Sequence, residues 1–273
     1  MVQRVPPHLL GIAGFVGATF ALTVATVALL APVWSNASAA TVWRPTLAYV
    51  VAVGWQPFAA VWIVRRRIDA YPSGHTHRAA RRRYTVLAIA LAVTLLAGAT
   101  IVEATLGTTT ASVGAPLPPA TTVAGFVGSL VLLCAQALIE ESTWRGYLMP
   151  RLMQAVGPWP GLCVHGLLWG ACYAPVFLRG TSTDAPHLLG VIVTCGLLGI
   201  ILGWLRLASG SVAPSTLCNA ALTIGGGLPL LMRGATSPFA AVFAPAGWLP
   251  MMLIIATIAT QPSLRHAVVL RRP

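Results

Sequence analysis

Residues 187–205 read HLLGVIVTCGLLGIILGWL, an apolar stretch without Asp, Glu, Lys or Arg. A run of about 20 such residues is long enough to cross the hydrocarbon core of a bilayer as an α-helix. The rest of the chain has the same character, since 57% of its 273 residues are hydrophobic and only 8% are charged, against about 25% in soluble domains. Because so few charges cannot cover the surface of a water-soluble globule, the sequence predicts an integral membrane protein.

Apolar runs of similar length recur along the chain and predict about eight transmembrane helices. They lie at residues 9–33, 46–64, 84–102, 122–139, 160–178, 187–205, 211–232 and 239–260. The connections between them are too short for a separate soluble domain, so residues 1–273 are predicted to form a single integral membrane domain. The predicted fold class is all-α, a polytopic membrane helix bundle.

The arginines predict how this bundle is oriented, because cytoplasmic loops of membrane proteins collect basic residues. Eight crossings place both termini on one side of the membrane. Of the 17 basic residues, which are all Arg, only Arg44, Arg179 and Arg233 fall on the opposite side. We therefore predict a multi-pass protein of the cell membrane with both termini in the cytoplasm.

The formal net charge of +12 also raises the question of nucleic-acid binding. That function requires a basic domain interleaved with aromatic residues, and the arginines here are instead placed beside apolar segments. The charge is thus explained by topology, and membrane lipids rather than nucleic acids are the predicted partners.

The chain contains only five carboxylates, and two of them are adjacent, Glu140 and Glu141, at the predicted cytoplasmic end of the fourth membrane helix. A carboxylate in a membrane helix is costly and is therefore a functional candidate. If the helix continues toward Pro150, Glu141 and Arg145 lie four residues apart and can form an ion pair. The other carboxylate would then be available as an acid or base. The alternative is a boundary ion pair beside a solvated glutamate.

Two later helices carry polar stripes with a spacing of four residues. The stripes are His165, Trp169 and Tyr173 in the fifth predicted helix, and Ser215, Asn219 and Thr223 in the seventh. Polar side chains in hydrocarbon tend to face the interior of a bundle, so both stripes could converge with the glutamates on one polar cavity. Taken singly, each stripe is more readily explained by hydrogen bonding between helices.

The order of these features resembles the CPBP family of membrane proteins, which includes CAAX prenyl proteases and bacteriocin-processing proteins. The family is marked by Glu-Glu-x-x-x-Arg, Phe-x-x-x-His and His-x-x-x-Asn or Asp on successive membrane helices. Glu140, Glu141 and Arg145 match the first motif in full. The resemblance covers residues 125–225, which form the predicted core of the domain.

The second and third motifs depart from the family pattern. Trp169 occupies the position of the family's Phe, and Tyr173 that of its His. Asn219 and Thr223 stand where a His and an Asn or Asp are expected. Both motif histidines are thus replaced.

The resemblance implies a membrane-embedded endopeptidase that cleaves membrane-associated or prenylated substrates. Glu140 would activate a water molecule, and the implied catalytic set is completed by Glu141, Arg145, Tyr173 and Asn219. Supporting positions are implied for His165, Trp169, Ser215 and Thr223.

The family also implies zinc, but two carboxylates, a phenol and an amide make a poor zinc site, so no cofactor is predicted with certainty. Two alternatives to an active protease stay open. One is a non-catalytic protein that binds hydrophobic or lipidated peptides, and the other is a transporter or membrane scaffold.

Overall fold

The computed structural model describes residues 7–35, 54–64, 78–106, 120–177, 185–233, 242 and 245–260. Within these residues the protein is a bundle of helices without strands. The helices are α1 Pro7–Ser35, α2 Gln56–Ile63, α3 Arg78–Thr105, α4 Ala120–Glu140, α5 Met149–Val156, α6 Pro158–Phe177, α7 Ala185–Ser209, α8 Val212–Arg233 and α9 Trp248–Ala259. A π-helix, Glu141–Leu148, joins α4 to α5, and a 3-10 turn, Pro245–Gly247, precedes α9. The predicted all-α membrane helix bundle is confirmed.

Three helices of the described part are long and apolar enough to cross a membrane. The candidate spans are Leu9–Leu30 in α1, Arg82–Thr105 in α3 and Leu188–Ser209 in α7, and Pro245–Ala259 is a shorter apolar helix. Eight crossings and cytoplasmic termini remain predictions. Three predicted spans fall partly outside the described residues, because 46–53, 178, 239–241 and 243–244 belong to the part that is not described.

Helix α7 lies at the centre of the bundle. Its spanning window is 67% buried, against 28% for that of α1 and 22% for that of α3. The tightest contact of α7 is with α6, where Gly166 and Gly199 face each other so closely that a Cβ at Gly199 would lie 2.4 Å from the Cα of Gly166. The absence of side chains at these positions lets the two backbones approach.

We expect Gly199→Ala to lower the free energy of unfolding by about 1–3 kcal/mol, because the added methyl group forces apart two packed backbones. Thermal unfolding in detergent measures this effect. Gly17→Ala is the matched control, since a Cβ at Gly17 would meet no atom within 4 Å. Equal melting temperatures for the two variants would contradict the close α6–α7 contact.

Two glycines with positive φ reverse the chain around the centre of the bundle. Gly157, at φ 91°, separates α5 from α6, and Gly210, at φ 66°, separates α7 from α8. Glycine adopts such backbone angles at no steric cost. The N–H of Gly157 donates to the carbonyl of Met153 at 3.0 Å and so ends α5. The second reversal brings α8 back against α4 and the π-helix, where the polar residues of the predicted site lie.

Candidate active site

The two glutamates lie at the junction between α4 and the π-helix. The predicted continuation of the helix toward Pro150 is present, but its first eight residues are wound as a π-helix, which the sequence analysis did not predict. At the junction the Thr143 hydroxyl donates back to the preceding turn, since it lies 2.8 Å from the carbonyl of Ile139 and 3.0 Å from that of Glu140. Such π segments are frequent at functional sites. Here the segment carries Glu141, while Glu140 is the last residue of α4.

One side chain of α8 joins the two carboxylates. The amide nitrogen of Asn219 donates to Oε2 of Glu140 and to Oε1 of Glu141, each at 3.1 Å. All three residues are buried, with relative exposures of 4%, 3% and 0%. Since a carboxylate only accepts hydrogen bonds, the nitrogen rather than the oxygen of the Asn219 amide must face the pair. Asn219 therefore holds both glutamates in one place.

Arg145 pairs with the second glutamate. Its Nη1 lies 3.0 Å from Oε1 of Glu141, and both side chains are fully buried. This is the ion pair that the four-residue spacing predicts. The guanidinium also lies over the ring of Trp169, with 4.1 Å between Cζ and the ring centroid, a geometry that favours a cation–π interaction. Arg145 thus connects the π-helix to α6.

Tyr173 connects the same α6 to the first glutamate. Its hydroxyl donates a hydrogen bond to the Glu140 carboxylate and accepts one from Nε1 of Trp144 at 3.1 Å. Because the phenol receives one hydrogen bond and gives another, its oxygen is held between Trp144 and Glu140. The structure therefore brings Glu140, Glu141, Arg145, Tyr173 and Asn219 into one buried polar cluster.

The supporting residues lie around this cluster in different ways. His165 packs edge-on against Trp144, with ring centroids 6.1 Å apart, and neither ring nitrogen has a hydrogen-bond partner among the described residues. Ser215, in α8, donates its hydroxyl proton to the carbonyl of Val212 at 2.9 Å. Thr223 donates to the backbone carbonyl of Asn219 at 2.9 Å.

A comparison with known protein families bears on this cluster. Residues 119–224 match the family model described as Type II CAAX prenyl endopeptidase Rce1-like, and this interval contains every residue of the cluster. Over this interval, which is less than half of the chain, the protein is similar to a CAAX protease-like domain. The family resemblance noted in the sequence is thereby confirmed. No curated protein matches the chain.

The donor set of the described residues in this CAAX protease-like interval does not fit the zinc ion that the family resemblance implies. Within the described residues no three His, Cys, Asp or Glu side chains are grouped so that they could hold a metal. The polar partners of the two carboxylates are a guanidinium, a phenol and an amide, whereas zinc prefers imidazole and thiolate ligands. His165, whose side chain is described, packs its imidazole against the Trp144 ring.

Two side chains near the glutamates were missed by the sequence analysis. Trp144 is fully buried and orients Tyr173, and the available signal was its position inside the Glu-Glu-x-x-x-Arg motif. Gln136 is 2% exposed and lies four residues before Glu140, so both occupy one face of α4. This spacing is the signal that could have identified it.

Proposed function

We propose that the protein is a membrane-embedded endopeptidase that hydrolyses peptide bonds with a water molecule activated by Glu140. The match of residues 119–224 to CAAX prenyl endopeptidases supports the reaction class. The observation that carries the proposal is that Glu140 is buried and accepts hydrogen bonds from Tyr173 and Asn219. These bonds aim the carboxylate at a defined point, as a general base requires.

In the proposed mechanism Glu140 takes a proton from water while the water oxygen attacks the carbonyl carbon of the scissile bond. The carbonyl oxygen becomes negatively charged, and the Tyr173 hydroxyl, which Trp144 positions, turns to donate a hydrogen bond to it. Glu140 then passes its proton to the leaving nitrogen, which departs as an amine as the C–N bond breaks. The products are a carboxylic acid and an amine; the acid then gives its remaining proton to the amine, so that a carboxylate and an ammonium group leave and Glu140 is ready for another cycle.

The other members of the cluster act as positioning residues. Both N–H groups of Asn219 are used by the glutamates, so its carbonyl oxygen is the atom left to accept a hydrogen bond from the water. The Glu141–Arg145 pair holds the second carboxylate away from the reaction. Because both partners of this pair are fully buried and lie 3.0 Å apart, the pair keeps the carboxylate that accepts from Asn219 in place.

The substrates that suit this site are hydrophobic or lipidated peptides held at the membrane. The cluster lies where α4 meets the π-helix, which the predicted topology places near the cytoplasmic surface. Membrane lipids would surround the bundle, since apolar side chains such as Leu29 and Val93 in α1 and α3 are exposed. A prenylated peptide in a detergent micelle is accordingly the first substrate to test.

A second candidate function is binding of lipidated peptides without cleavage. It is favoured by the replacement of both motif histidines with Tyr173 and Asn219, and by the engagement of both Asn219 N–H groups with carboxylates. One assay, incubation of the purified protein with a farnesylated peptide, distinguishes the two functions. An endopeptidase yields two product masses, whereas a binding protein retains the intact peptide.

We expect Tyr173→Phe to lower kcat for the farnesylated peptide about 10²-fold, because the variant lacks the donor that stabilises the oxyanion. Product formation followed by mass spectrometry provides the measurement. Tyr84→Phe, in α3, is the matched control and should retain wild-type turnover. Unchanged kcat in Tyr173→Phe would refute the role of the phenol.

A further inference from the structure

Buried polar atoms without partners lie on both sides of the glutamate pair. On one side is Gln136, whose Oε1 has no hydrogen-bond partner among the described residues. Gln136 lies one helical turn, about 6 Å, before Glu140 on the same face of α4. A buried acceptor of this kind is costly unless a donor reaches it.

On the other side are donors without acceptors. Nε and Nη2 of Arg145 and Nε1 of Trp169 have no hydrogen-bond partner within the described ranges, although both side chains are buried. Guanidinium and indole groups only donate hydrogen bonds. This side of the cluster therefore suits a ligand with an accepting oxygen.

The charge of the cluster decides between an anionic and a neutral ligand. Glu140 and Glu141 supply two carboxylates for the single guanidinium of Arg145. An additional anion in this buried position would be repelled by the excess carboxylate. A neutral group that offers a donor at one end and an acceptor at the other avoids that repulsion, and a peptide backbone is such a group.

We propose that the backbone of an extended peptide binds along α4 and the π-helix, across the glutamate pair. One peptide N–H donates to Gln136, and a peptide carbonyl further along accepts from Arg145 and Trp169. This inference rests on the proposed function, because it places the scissile bond at Glu140 between the two contacts. The axial distance from residue 136 to residue 145 is roughly 13 Å, which about four extended residues cover.

The arrangement defines the class of substrate. Contacts to the backbone do not depend on side chains, so the site accepts varied sequences but requires an extended segment with intact amide groups. A folded helix cannot bind in this way, since its N–H and C=O groups are already paired.

The test compares binding and stability in Gln136→Met and Trp169→Phe. Gln136→Met removes an atom that has no partner in the free protein, so its melting temperature should stay equal or rise. Trp169→Phe also reduces the ring that lies under Arg145, so this variant is judged by binding alone. In both variants the Kd for a peptide should increase about 2–10-fold. The probe is a fluorescent farnesylated peptide, and binding is measured by anisotropy in the Glu140→Gln background, where the peptide stays intact. Gln154→Met, at an exposed position of α5, is the control that should leave Kd unchanged.

A second set of probes identifies the contact itself. In each probe one backbone amide is replaced by an ester, which removes the N–H donor. We expect one ester position to weaken binding to the protein with Gln136 intact and to have no further effect in Gln136→Met. If no ester position depends on Gln136, or if Gln136→Met lowers the melting temperature and leaves Kd unchanged, the inference is overturned.

The experiments distinguish failure of this peptide site from failure of the proposed endopeptidase function. Binding that depends on the ester position, without any cleavage by the wild-type protein, would retain the peptide site and exclude the endopeptidase. Cleavage by the wild type with no dependence on Gln136 or Trp169 would retain the endopeptidase and exclude this site.

Discussion

Glu140→Gln is expected to reduce kcat for a farnesylated peptide by about 10²–10⁴-fold, the usual contribution of a general base. The glutamine side chain has nearly the same shape as glutamate, but it cannot take a proton from water. Its carbonyl oxygen can still accept the hydrogen bond from Asn219, so the bundle should remain folded. Cleavage products quantified by mass spectrometry measure the loss.

The matched control for this variant is Glu103→Gln, which changes a carboxylate in α3 outside the cluster. It should cleave the peptide at the wild-type rate. Substantial turnover by Glu140→Gln would exclude Glu140 as the base.

Arg145→Met should lower the free energy of unfolding by about 3–5 kcal/mol, because removal of one partner leaves the other charge buried without compensation. Methionine preserves much of the apolar stem of Arg145, so the main loss is the guanidinium that lies 3.0 Å from Glu141 and over the ring of Trp169. The measurement is reversible unfolding of the purified wild-type and variant proteins in the same detergent.

Two further variants show whether the lost charge is the cause. Arg83→Gln removes an exposed arginine from α3 and should change stability by no more than about 0.5 kcal/mol. Adding Glu141→Gln to Arg145→Met removes the uncompensated carboxylate and should recover much of the lost stability. If the single variant Arg145→Met is as stable as the wild type, the Glu141–Arg145 pair is not buried in the folded protein.

The helices were the most predictable part of the fold, because long apolar runs in a chain with so little charge have few alternatives to membrane helices. Residues 187–205, for example, fall inside α7. The π-helix Glu141–Leu148 was not predictable from the residue pattern. Apolar periodicity does not distinguish it from an α-helix over eight residues.

Part of the candidate site could also be predicted. The pairing of Glu141 with Arg145 follows from their spacing in one helix. Contacts between helices depend on how each helix is rotated about its axis, which the sequence restrains only loosely. Gln136 and Trp144 were missed because Gln and Trp in apolar segments are commonly packing residues. Their proximity to Glu140 and Tyr173 is visible only in the folded protein.

For His165 the sequence predicted the position near the site but not the contact that the side chain makes there. Its place in a polar stripe with Trp169 and Tyr173 predicts a position near the site, and its ring does contact Trp144. The imidazole and the Tyr173 phenol lie against the same indole, since the Trp144 and Tyr173 centroids are 5.9 Å apart. Helical spacing placed His165 on the correct face of α6 but did not predict the tryptophan between the two rings.

The central claim is that hydrolysis depends on Glu140 and its hydrogen bonds from Tyr173 and Asn219, without a metal. Its most direct test is peptide turnover by the wild-type protein after chelator treatment, with zinc content determined in the same sample. We expect turnover at the rate of the untreated protein in a sample that contains far less than one zinc per chain. Turnover that disappears on chelation and returns on addition of zinc would contradict the claim.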